Sequence, residues 1–247
     1  MRIVGVIPSR WGSTRFPGKS LHPICGKPLV QWVAEAARRA RLLDEVVVAT
    51  DDERIAEAVR GFVRVAMTRP DHPSGTDRVA EAAQPDDDDI VINIQGDEPL
   101  INPALIDALA ERMRSDAAWA MATVACPLRN PQDLEARSVV KVVVARDGGA
   151  LYFSRLPIPC RRDGEPDVGS GLYLRHVGIY AYRGAFLKRL VAEPPCALER
   201  AESLEQLRAL YLGGRIAVLQ ADEPGAGVDT PEDVPAVEKR LREDGRA

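Results

Sequence analysis

The chain has 247 residues, of which 45% are hydrophobic and 28% are charged, and its formal net charge is −4. This length suits one large α/β domain that buries its core without disulfide bonds. The slight acidity argues against nucleic acid or an anionic membrane as a partner, and no apolar stretch reaches the ~20 residues of a membrane helix. The four cysteines are widely spaced with no CxxC pair, which predicts reduced thiols and a cytoplasmic protein.

The first half of the chain alternates β-branched apolar runs with helical patterns, which is typical of βαβ units. Because the apolar runs are continuous, their strands are expected to be buried on both faces of a mostly parallel sheet. Strands are predicted at Ile3–Ile7, Val46–Thr50, Val63–Met67 and Ile90–Gln95, and helices at 29–40, Arg54–Arg60 and Asp77–Ala83.

The second half has a different pattern, with more turns and polar residues. It predicts a hairpin of 139–145 and 151–154, strands at His176–Tyr182 and Arg215–Gln220, and helices at Leu198–Leu212 and Pro231–Arg242. The hairpin is antiparallel, because a two-strand unit closed by Asp147-Gly148-Gly149 has no room for a crossover. We therefore predict a single domain over residues 1–247, with an insertion at approximately 125–195.

A basic loop, Pro8–Lys19, follows the first predicted strand. In a doubly wound sheet, ligands bind beyond the carboxyl ends of the strands, where this loop lies. Its cations Arg10, Arg15 and Lys19 stand among glycines and hydroxyl groups, a composition that suits a polyphosphate. The alternative is an exposed basic loop that binds nothing.

The end of this loop, Gly18-Lys19-Ser20, imitates the end of a P-loop. The spacing excludes one, because Ser13 stands where the first glycine is required and Pro23 disfavours the helix that should begin at the lysine. A GxGxxG fingerprint is also absent from the sequence. A P-loop kinase is therefore excluded.

An acidic segment, Gln95-Gly96-Asp97-Glu98-Pro99, follows the strand predicted at Ile90–Gln95. Its two carboxylates are expected at the carboxyl edge of the sheet, facing the basic loop. A carboxylate beside a triphosphate repels it unless a divalent cation lies between them, so Mg²⁺ is implied. A turn carboxylate that caps a helix near Pro103 is the alternative interpretation.

Two further segments have a structural and a functional interpretation from the residues alone. Asp229 lies just before Thr230-Pro231, where it would cap the last helix, and it is also a possible metal ligand. Ser74-Gly75-Thr76 opens a helix, so it either caps that helix or contacts a nucleotide.

Taken in order, these motifs resemble those of the 3-deoxy-manno-octulosonate (Kdo) cytidylyltransferases, and the resemblance covers nearly the whole chain. The matching segments are SRxxSTRxPGK (Ser9–Lys19), VATDD (Val48–Asp52), TRxxHxSGTDR (Thr68–Arg78), QGDEP (Gln95–Pro99), LYFSR (Leu151–Arg155), RHxGIYxYR (Arg175–Arg183), LEQLR (Leu204–Arg208) and GVDTPED (Gly227–Asp233).

The resemblance implies an α/β fold with a Rossmann-like mixed sheet of the nucleotide-diphospho-sugar transferase type and a small antiparallel insertion, in a homodimer. It implies CTP and Kdo as substrates, Mg²⁺ as cofactor, CMP-Kdo and pyrophosphate as products, and a role in lipopolysaccharide biosynthesis. The residues that match the family's catalytic positions are Arg10, Lys19 and Asp97, and those that match its metal ligands are Asp97 and Asp229. The nucleotide site corresponds to Ser13, Arg15, Ala49, Thr50, Asp51, Ser74, Gly75, Thr76, Arg78 and Gln95, and the sugar pocket to Arg155, His176, Tyr180, Glu205 and Gln206.

The chain departs from the family pattern at Cys160, where Trp is common, and in the short segment 161–172. By the resemblance, both departures fall in the lid and dimer region, so 8-amino-Kdo or another sugar acid is an alternative acceptor. The LYFSR and RHxGIYxYR segments disfavour a sialic acid or a small alcohol. A silent nucleotide-binding regulator is a third hypothesis, which the presence of every metal carboxylate and loop cation disfavours.

Overall fold

A computed structural model describes residues 1–12 and 16–246. Within them the strands are β1 Ile3–Pro8, β2 Pro23–Ile24, β3 Lys27–Pro28, β4 Glu45–Thr50, β5 Arg64–Met67, β6 Ile90–Asn93, β7 Met121–Pro127, β8 Lys141–Val144, β9 Ala150–Ser154, β10 Leu174–Arg183 and β11 Ile216–Gln220. The helices are α1 Leu29–Ala37, α2 Glu53–Val59, α3 Gly75–Ala83, α4 Pro103–Ser115, α5 Pro131–Glu135, α6 Gly184–Ala192, α7 Ala197–Glu202, α8 Gln206–Tyr211 and α9 Val234–Glu243. Short 3₁₀ turns occupy Lys19–Leu21, Val168–Ser170 and Pro231–Asp233.

The main sheet has the strand order β11-β7-β10-β6-β1-β4-β5, and the hairpin of β8 and β9 joins it through β10. The pairs β6–β1, β1–β4, β4–β5 and β11–β7 are parallel. Strand β10 is antiparallel to both of its neighbours, β6 and β7. The predicted α/β fold with a mixed sheet and an antiparallel hairpin is confirmed. No helix in the described part of the chain is long and apolar enough to cross a membrane.

The central strands are buried on both faces, as their continuous apolar runs predict. On one face, Ile7 and Ile92 pack in the cluster that includes residues of α1 and α4. On the other face, Val6 and Val91 pack in the cluster that includes residues of α3 and α6. Each fully buried Val or Ile side chain contributes about 1.5–3 kcal/mol relative to an exposed one, so the sheet is a rigid base for the loops at its edge.

The helix predicted at Leu198–Leu212 is two helices, α7 and α8, separated by a break at Ser203. Ser203 has a φ of 51°, a left-handed conformation that ends α7. The carbonyl groups left without helical partners at this end accept hydrogen bonds from the Arg155 guanidinium, which reaches the carbonyls of both Glu202 and Ser203. The break sets Glu205 and Gln206 at the beginning of α8.

Candidate active site

Three neighbouring parallel strands end at the same edge of the sheet: β1 at Pro8, β4 at Thr50 and β6 at Asn93. The loops that follow them therefore meet, as is usual for ligand sites in open α/β sheets. They enclose a cleft of about 410 Å³. It is lined by Pro8, Ser9, Arg10, Lys19, Ser20, His72, Pro73, Ser74, Gly75, Arg78, Gln95, Gly96, Asp97 and Glu205.

Two predicted metal carboxylates converge on the Lys19 ammonium group. Lys19 Nζ lies 2.6 Å from Asp97 Oδ2 and 3.8 Å from Asp229 Oδ1. The two acidic loops are joined by the backbone, since Val228 N–H donates to the Asp97 carbonyl at 2.8 Å. Residues that are far apart in sequence thus form one charged centre at the end of β6.

The donor set of this centre fits Mg²⁺. Mg²⁺ is usually held by one or two carboxylates together with substrate phosphates, and Asp97 and Asp229 supply two carboxylates that already face one positive charge. No cluster of three or more potential metal ligands occurs among the described residues, so phosphate oxygens or waters would complete the coordination.

The capping interpretation of Asp229 is wrong for the last helical segment. The residue at the cap position is Thr230, and its partner is Asp233. Asp233 Oδ2 accepts from the backbone N–H groups of Asp229 and Thr230 at 2.9 and 2.8 Å. The Asp229 side chain therefore does not cap this turn and instead faces Lys19, while remaining 56% exposed.

The sequence predicts that Asp97 and Glu98 both face the basic loop, and for Glu98 this prediction is wrong. Glu98 lines a different cavity of about 660 Å³. Its carboxylate packs against Gly225, where the Cβ of any other residue would lie 2.9 Å from Glu98 Oε2. Burial, together with repulsion from Asp97, raises the pKa of Glu98 to about 7. Gly96 is needed for its close approach to Pro8, whose carbonyl oxygen would lie 2.7 Å from a Cβ at this position.

Three of the four nucleotide residues predicted at the start of α3, Ser74, Gly75 and Arg78, line the 410 Å³ cleft, whereas Thr76 lines a second, smaller one. Ser74 caps the helix, because its Oγ accepts from the N–H groups of Thr76 and Asp77. Arg78 is buried, donates to Thr68 Oγ1 at 2.5 Å and lies 3.4 Å from Asp51 Oδ2. The Arg78–Asp51 contact joins α3 to the segment that follows β4.

The other predicted nucleotide residues differ in their position relative to this cleft. Ala49 and Thr50 are buried in β4, and neither lines the cleft. Gln95 lines the cleft and donates through Nε2 to the Gly178 carbonyl at 2.8 Å. Ser13 and Arg15 lie outside the described residues.

A second cleft, of about 290 Å³, contains three of the five predicted sugar-pocket residues: Tyr180, Glu205 and Gln206. The Tyr180 hydroxyl is 3.5 Å from Gln206 Oε1. The two clefts share Pro8, Gly75, Gln95 and Glu205 in their walls, so they adjoin.

The Thr76 hydroxyl links the two clefts. It donates to Glu205 Oε2 at 2.6 Å, which ties the first turn of α3 to the beginning of α8. A bond to a carboxylate is stronger than one between neutral groups. This bond therefore links the predicted nucleotide helix directly to the predicted sugar pocket.

His176 lies behind the second cleft rather than in its wall. Its Nε2 is 2.9 Å from Thr123 Oγ1, and its ring is 5.4 Å from that of Tyr180. Complete burial lowers the pKa of His176 to about 3, so the imidazole is neutral at physiological pH. In this arrangement it supports Tyr180, and the burial of Tyr180 raises the pKa of that phenol well above its ordinary value.

Arg155 lines neither cleft in the described structure. Three of its five N–H groups donate to backbone carbonyls, those of Glu202, Ser203 and Arg137. Its own carbonyl accepts from the buried Lys141 at 2.6 Å. Arg155 thus holds the break before α8, from which Glu205 and Gln206 project.

Sequence reasoning missed several polar residues that line the clefts. Tyr182 and Asn93 line the second cleft, and His72, which pairs with Glu81, lines the first. The signal for Tyr182 was available: it lies two residues after Tyr180 on β10, and residues two apart on a strand share a face. His72 has no such pattern, because it lies in the loop before α3.

A known family and named relatives match most of the chain. The family described as "Cytidylyltransferase" matches residues 4–216. The chain is 49% identical to the 3-deoxy-manno-octulosonate cytidylyltransferase of Bdellovibrio bacteriovorus over 99% of this chain and 100% of the relative. It is 52% identical to the enzyme of the same name from Syntrophobacter fumaroxidans, over 99% and 98% of the two chains.

Solved structures extend the comparison. A CMP:2-keto-3-deoxy-manno-octonic acid synthetase complexed with CTP superposes with a TM-score of 0.92 at 44% identity, covering 99% of this chain and 100% of that one. A Leptospira borgpetersenii cytidylyltransferase shares the fold, with a TM-score of 0.65 at 20% identity over 98% and 87% of the two chains.

The fold and the matched family define a cytidylyltransferase, a CTP-dependent nucleotidyltransferase. Within that class, the chain belongs to the 3-deoxy-manno-octulosonate cytidylyltransferase family. The predicted family and class of enzyme are both confirmed.

Proposed function

We propose that this enzyme transfers the cytidylyl group of CTP to Kdo and releases CMP-Kdo and pyrophosphate, as a step of lipopolysaccharide biosynthesis. One observation carries the proposal. The cleft that contains Arg10, Lys19 and Asp97 adjoins a second cleft whose tyrosine, carboxylate and amide groups suit a polyhydroxylated acceptor. Two substrates in these clefts would meet beside Gly75, Gln95 and Glu205, where a group can pass between them.

In the proposed complex, the triphosphate of CTP lies on Arg10 and Lys19. The guanidinium of Arg10 offers a planar fork for two phosphoryl oxygens, and the Lys19 ammonium offers a compact charge. The cytidine lies toward Asp51 and the beginning of α3, because Ser74 and Gly75 line the same cleft as Arg10 and Lys19.

The reaction is an in-line displacement. The anomeric C2 hydroxyl oxygen of Kdo attacks the α-phosphorus, a new O–P bond forms, and the bond from the α-phosphorus to the oxygen that bridges to the β-phosphorus breaks. Pyrophosphate carries away that electron pair, and the hydroxyl proton passes to Asp97 or to solvent. Arg10 and Lys19 neutralise the charge that develops on the leaving group, and such preorganised donors contribute most of the catalysis.

Asp97 and Asp229 are the residues proposed to hold Mg²⁺. When bound, the ion supplies charge neutralisation between these carboxylates and the phosphates of CTP. The approach of Lys19 to both carboxylates supports this role, because the two side chains already face one positive charge.

The acceptor is proposed to contact Tyr180, Glu205 and Gln206 directly. Three of the five N–H groups of Arg155 donate to the backbone carbonyls named above. The other two are suited to the Kdo carboxylate. His176 is proposed to fix the Tyr180 ring. Cys160 and the segment 161–172 leave 8-amino-Kdo or another sugar acid as the second candidate acceptor.

We further propose a homodimer formed through the predicted insertion. Three large apolar side chains of this insertion, Leu151, Leu156 and Leu172, are exposed. Large exposed apolar side chains are expected on a surface that binds another protein. Light scattering coupled to size-exclusion chromatography tests the assignment, and a monomer at micromolar concentration would contradict it.

The function is tested by measuring pyrophosphate release from each of four NTPs with Kdo, 8-amino-Kdo or a sialic acid as acceptor. We expect turnover with CTP and Kdo, its loss in excess EDTA, and its return when Mg²⁺ is restored. Equal turnover with ATP would contradict the nucleotide assignment, and full turnover in EDTA would contradict the metal. CTP binding without turnover on any acceptor would favour the silent regulator.

A further inference from the structure

Trp11 and Gly18 bring the two cation-bearing limbs of the basic loop together. Trp11 follows Arg10, and Gly18 precedes Lys19. Gly18 N–H donates to the Trp11 carbonyl at 3.2 Å. Gly18 has a φ of +73°, and a Cβ there would lie 2.9 Å from the Trp11 ring. The indole thus packs directly on a backbone position where a side chain would be strained and would crowd the ring.

Arg54 stacks on the same indole from a different part of the chain. Its Cζ lies 3.4 Å from the Trp11 ring centroid, which is cation–π geometry. Asp52 fixes the guanidinium with two parallel hydrogen bonds, from Nε to Oδ1 at 2.9 Å and from Nη2 to Oδ2 at 2.6 Å. Arg54 is therefore held in one orientation by the residue that caps α2.

This stack connects two parts of the proposed CTP site. Asp52 follows the β4 segment assigned to the cytidine, whereas Trp11 lies between Arg10 and Gly18 in the phosphate loop. We infer that Trp11, Gly18 and Arg54 form a clasp that holds Arg10 and Lys19 at the spacing a triphosphate requires. Trp11 and Arg54 are then positioning residues, and this inference depends on the proposed function.

Core packing does not account for the clasp. Trp11 is exposed and belongs to none of the buried hydrophobic clusters of the described residues. An exposed cation–π contact contributes little to global stability. Its consequence is local. The Trp11 ring contacts Arg54 and Gly18, and Trp11 and Gly18 stand next in sequence to the proposed phosphate-binding residues Arg10 and Lys19.

The helix α2 supplies a matched control. The Arg54 and Arg60 side chains are 57% and 54% exposed, and each pairs with carboxylates of its own segment. Of these two, Arg54 is the one that stacks on Trp11. Arg60 directly follows the last residue of α2, so Arg60→Ala removes the same charge close to the same helix without disturbing the clasp.

The test is the CTP dissociation constant from calorimetry, with KM values and melting temperatures for each variant. We expect Arg54→Ala to weaken CTP binding about two- to five-fold, the range of an exposed cation–π contact. Trp11→Ala should weaken it about ten-fold or more, and Trp11→Phe should recover part of the loss. In the Arg54 and Trp11 variants, the KM for Kdo and the melting temperature should match wild type. Arg60→Ala should also bind CTP with the wild-type dissociation constant.

A double-mutant cycle separates the clasp from simple attraction of an anion. If Arg54 acts through Trp11, Arg54→Ala adds nothing in a Trp11→Ala background. Additive losses, or equal losses in Arg54→Ala and Arg60→Ala, would overturn the clasp. Wild-type CTP binding and turnover are measured first, so failure of the proposed function appears as an inactive wild type and is distinct from failure of the clasp.

Discussion

Replacing Asp229 by Asn tests the acidic centre, because the substitution changes charge and nearly conserves shape. The Lys19–Asp229 pair is 3.8 Å long, and the Asp229 side chain is 56% exposed. Screening by solvent limits the contribution of such a pair to stability to about 0–1 kcal/mol. The N-cap of the adjacent turn is Thr230, so the substitution leaves that cap in place. We therefore expect a melting temperature within a few degrees of wild type.

The effect on metal binding should be much larger. An amide oxygen is neutral and a weaker ligand for a hard cation than a carboxylate. Disturbing even an outer-shell partner typically costs about 10–100-fold in metal affinity, which sets a lower bound for a direct ligand. At saturating CTP and Kdo, the Mg²⁺ concentration for half-maximal pyrophosphate release should rise by at least this factor, with partial rescue by Mn²⁺.

Asp233→Asn is the matched control, four residues further along the chain. Asp233 Oδ2 accepts three local hydrogen bonds, from Asp229 N–H, Thr230 N–H and Thr230 Oγ1. Its replacement should lower the melting temperature and should raise the Mg²⁺ requirement less than Asp229→Asn does, because it removes no carboxylate from the acidic centre. The reasoning about Asp229 is refuted if Asp229→Asn titrates with Mg²⁺ like wild type, or if its loss of activity only follows a loss of folded protein.

Three further predictions concern the same clefts. Lys19→Ala should lower kcat about 10²–10³-fold with an unchanged melting temperature, and pyrophosphate release that matches wild type would show that the loop is only surface. Thr76→Val removes the 2.6 Å bond to Glu205 and should raise the KM for Kdo about ten-fold, whereas an unchanged KM would contradict the link between the clefts. Because burial lowers the pKa of His176 from 6.5 to about 3, the unfolded chain binds more protons in that window and stability falls as the pH decreases through it. His176→Gln should flatten that fall in melting temperature, and an unaltered slope would contradict the shift.

Much of the fold follows from sequence pattern. The continuous apolar runs of β1, β4 and β6 predict strands buried on both faces, and all three are. The direction of β10 could not be predicted in the same way, because an apolar run does not encode whether a strand is parallel or antiparallel to its neighbours. Its reversed position depends on tertiary pairing with β6, β7 and β8.

The break between α7 and α8 also escapes a pattern argument. Leu198–Leu212 has helical spacing throughout, and Ser203 carries no strong stop signal such as Gly or Pro. The left-handed turn is stabilised by Arg155, which is 48 residues distant from Ser203. Local propensity is overridden by a tertiary contact that satisfies the last carbonyls of α7.

The part of the candidate site formed by loops that follow adjacent parallel strands was predictable from the sequence. The part held in place by backbone hydrogen bonds between distant segments was not. Arg10 and Asp97 share an edge because β1 and β6 are neighbours. Asp229 joins them through the Val228–Asp97 hydrogen bond, which no spacing in the sequence reveals. The resemblance to the family, rather than the residue pattern, was what favoured a metal role for Asp229 over capping.

Ser74 shows why a capping role and a binding role need not exclude each other. A hydroxyl has one donor and two acceptor lone pairs. Ser74 Oγ accepts from Thr76 N–H and Asp77 N–H and donates to Asp77 Oδ2 at 2.7 Å, so all three are used within its own turn. The hydroxyl has no further capacity for CTP, and the cap also uses the N–H groups of Thr76 and Asp77 but not that of Gly75, which lines the cleft. The nucleotide contact predicted for this segment is therefore expected from the backbone of Gly75, with Ser74 fixing its direction.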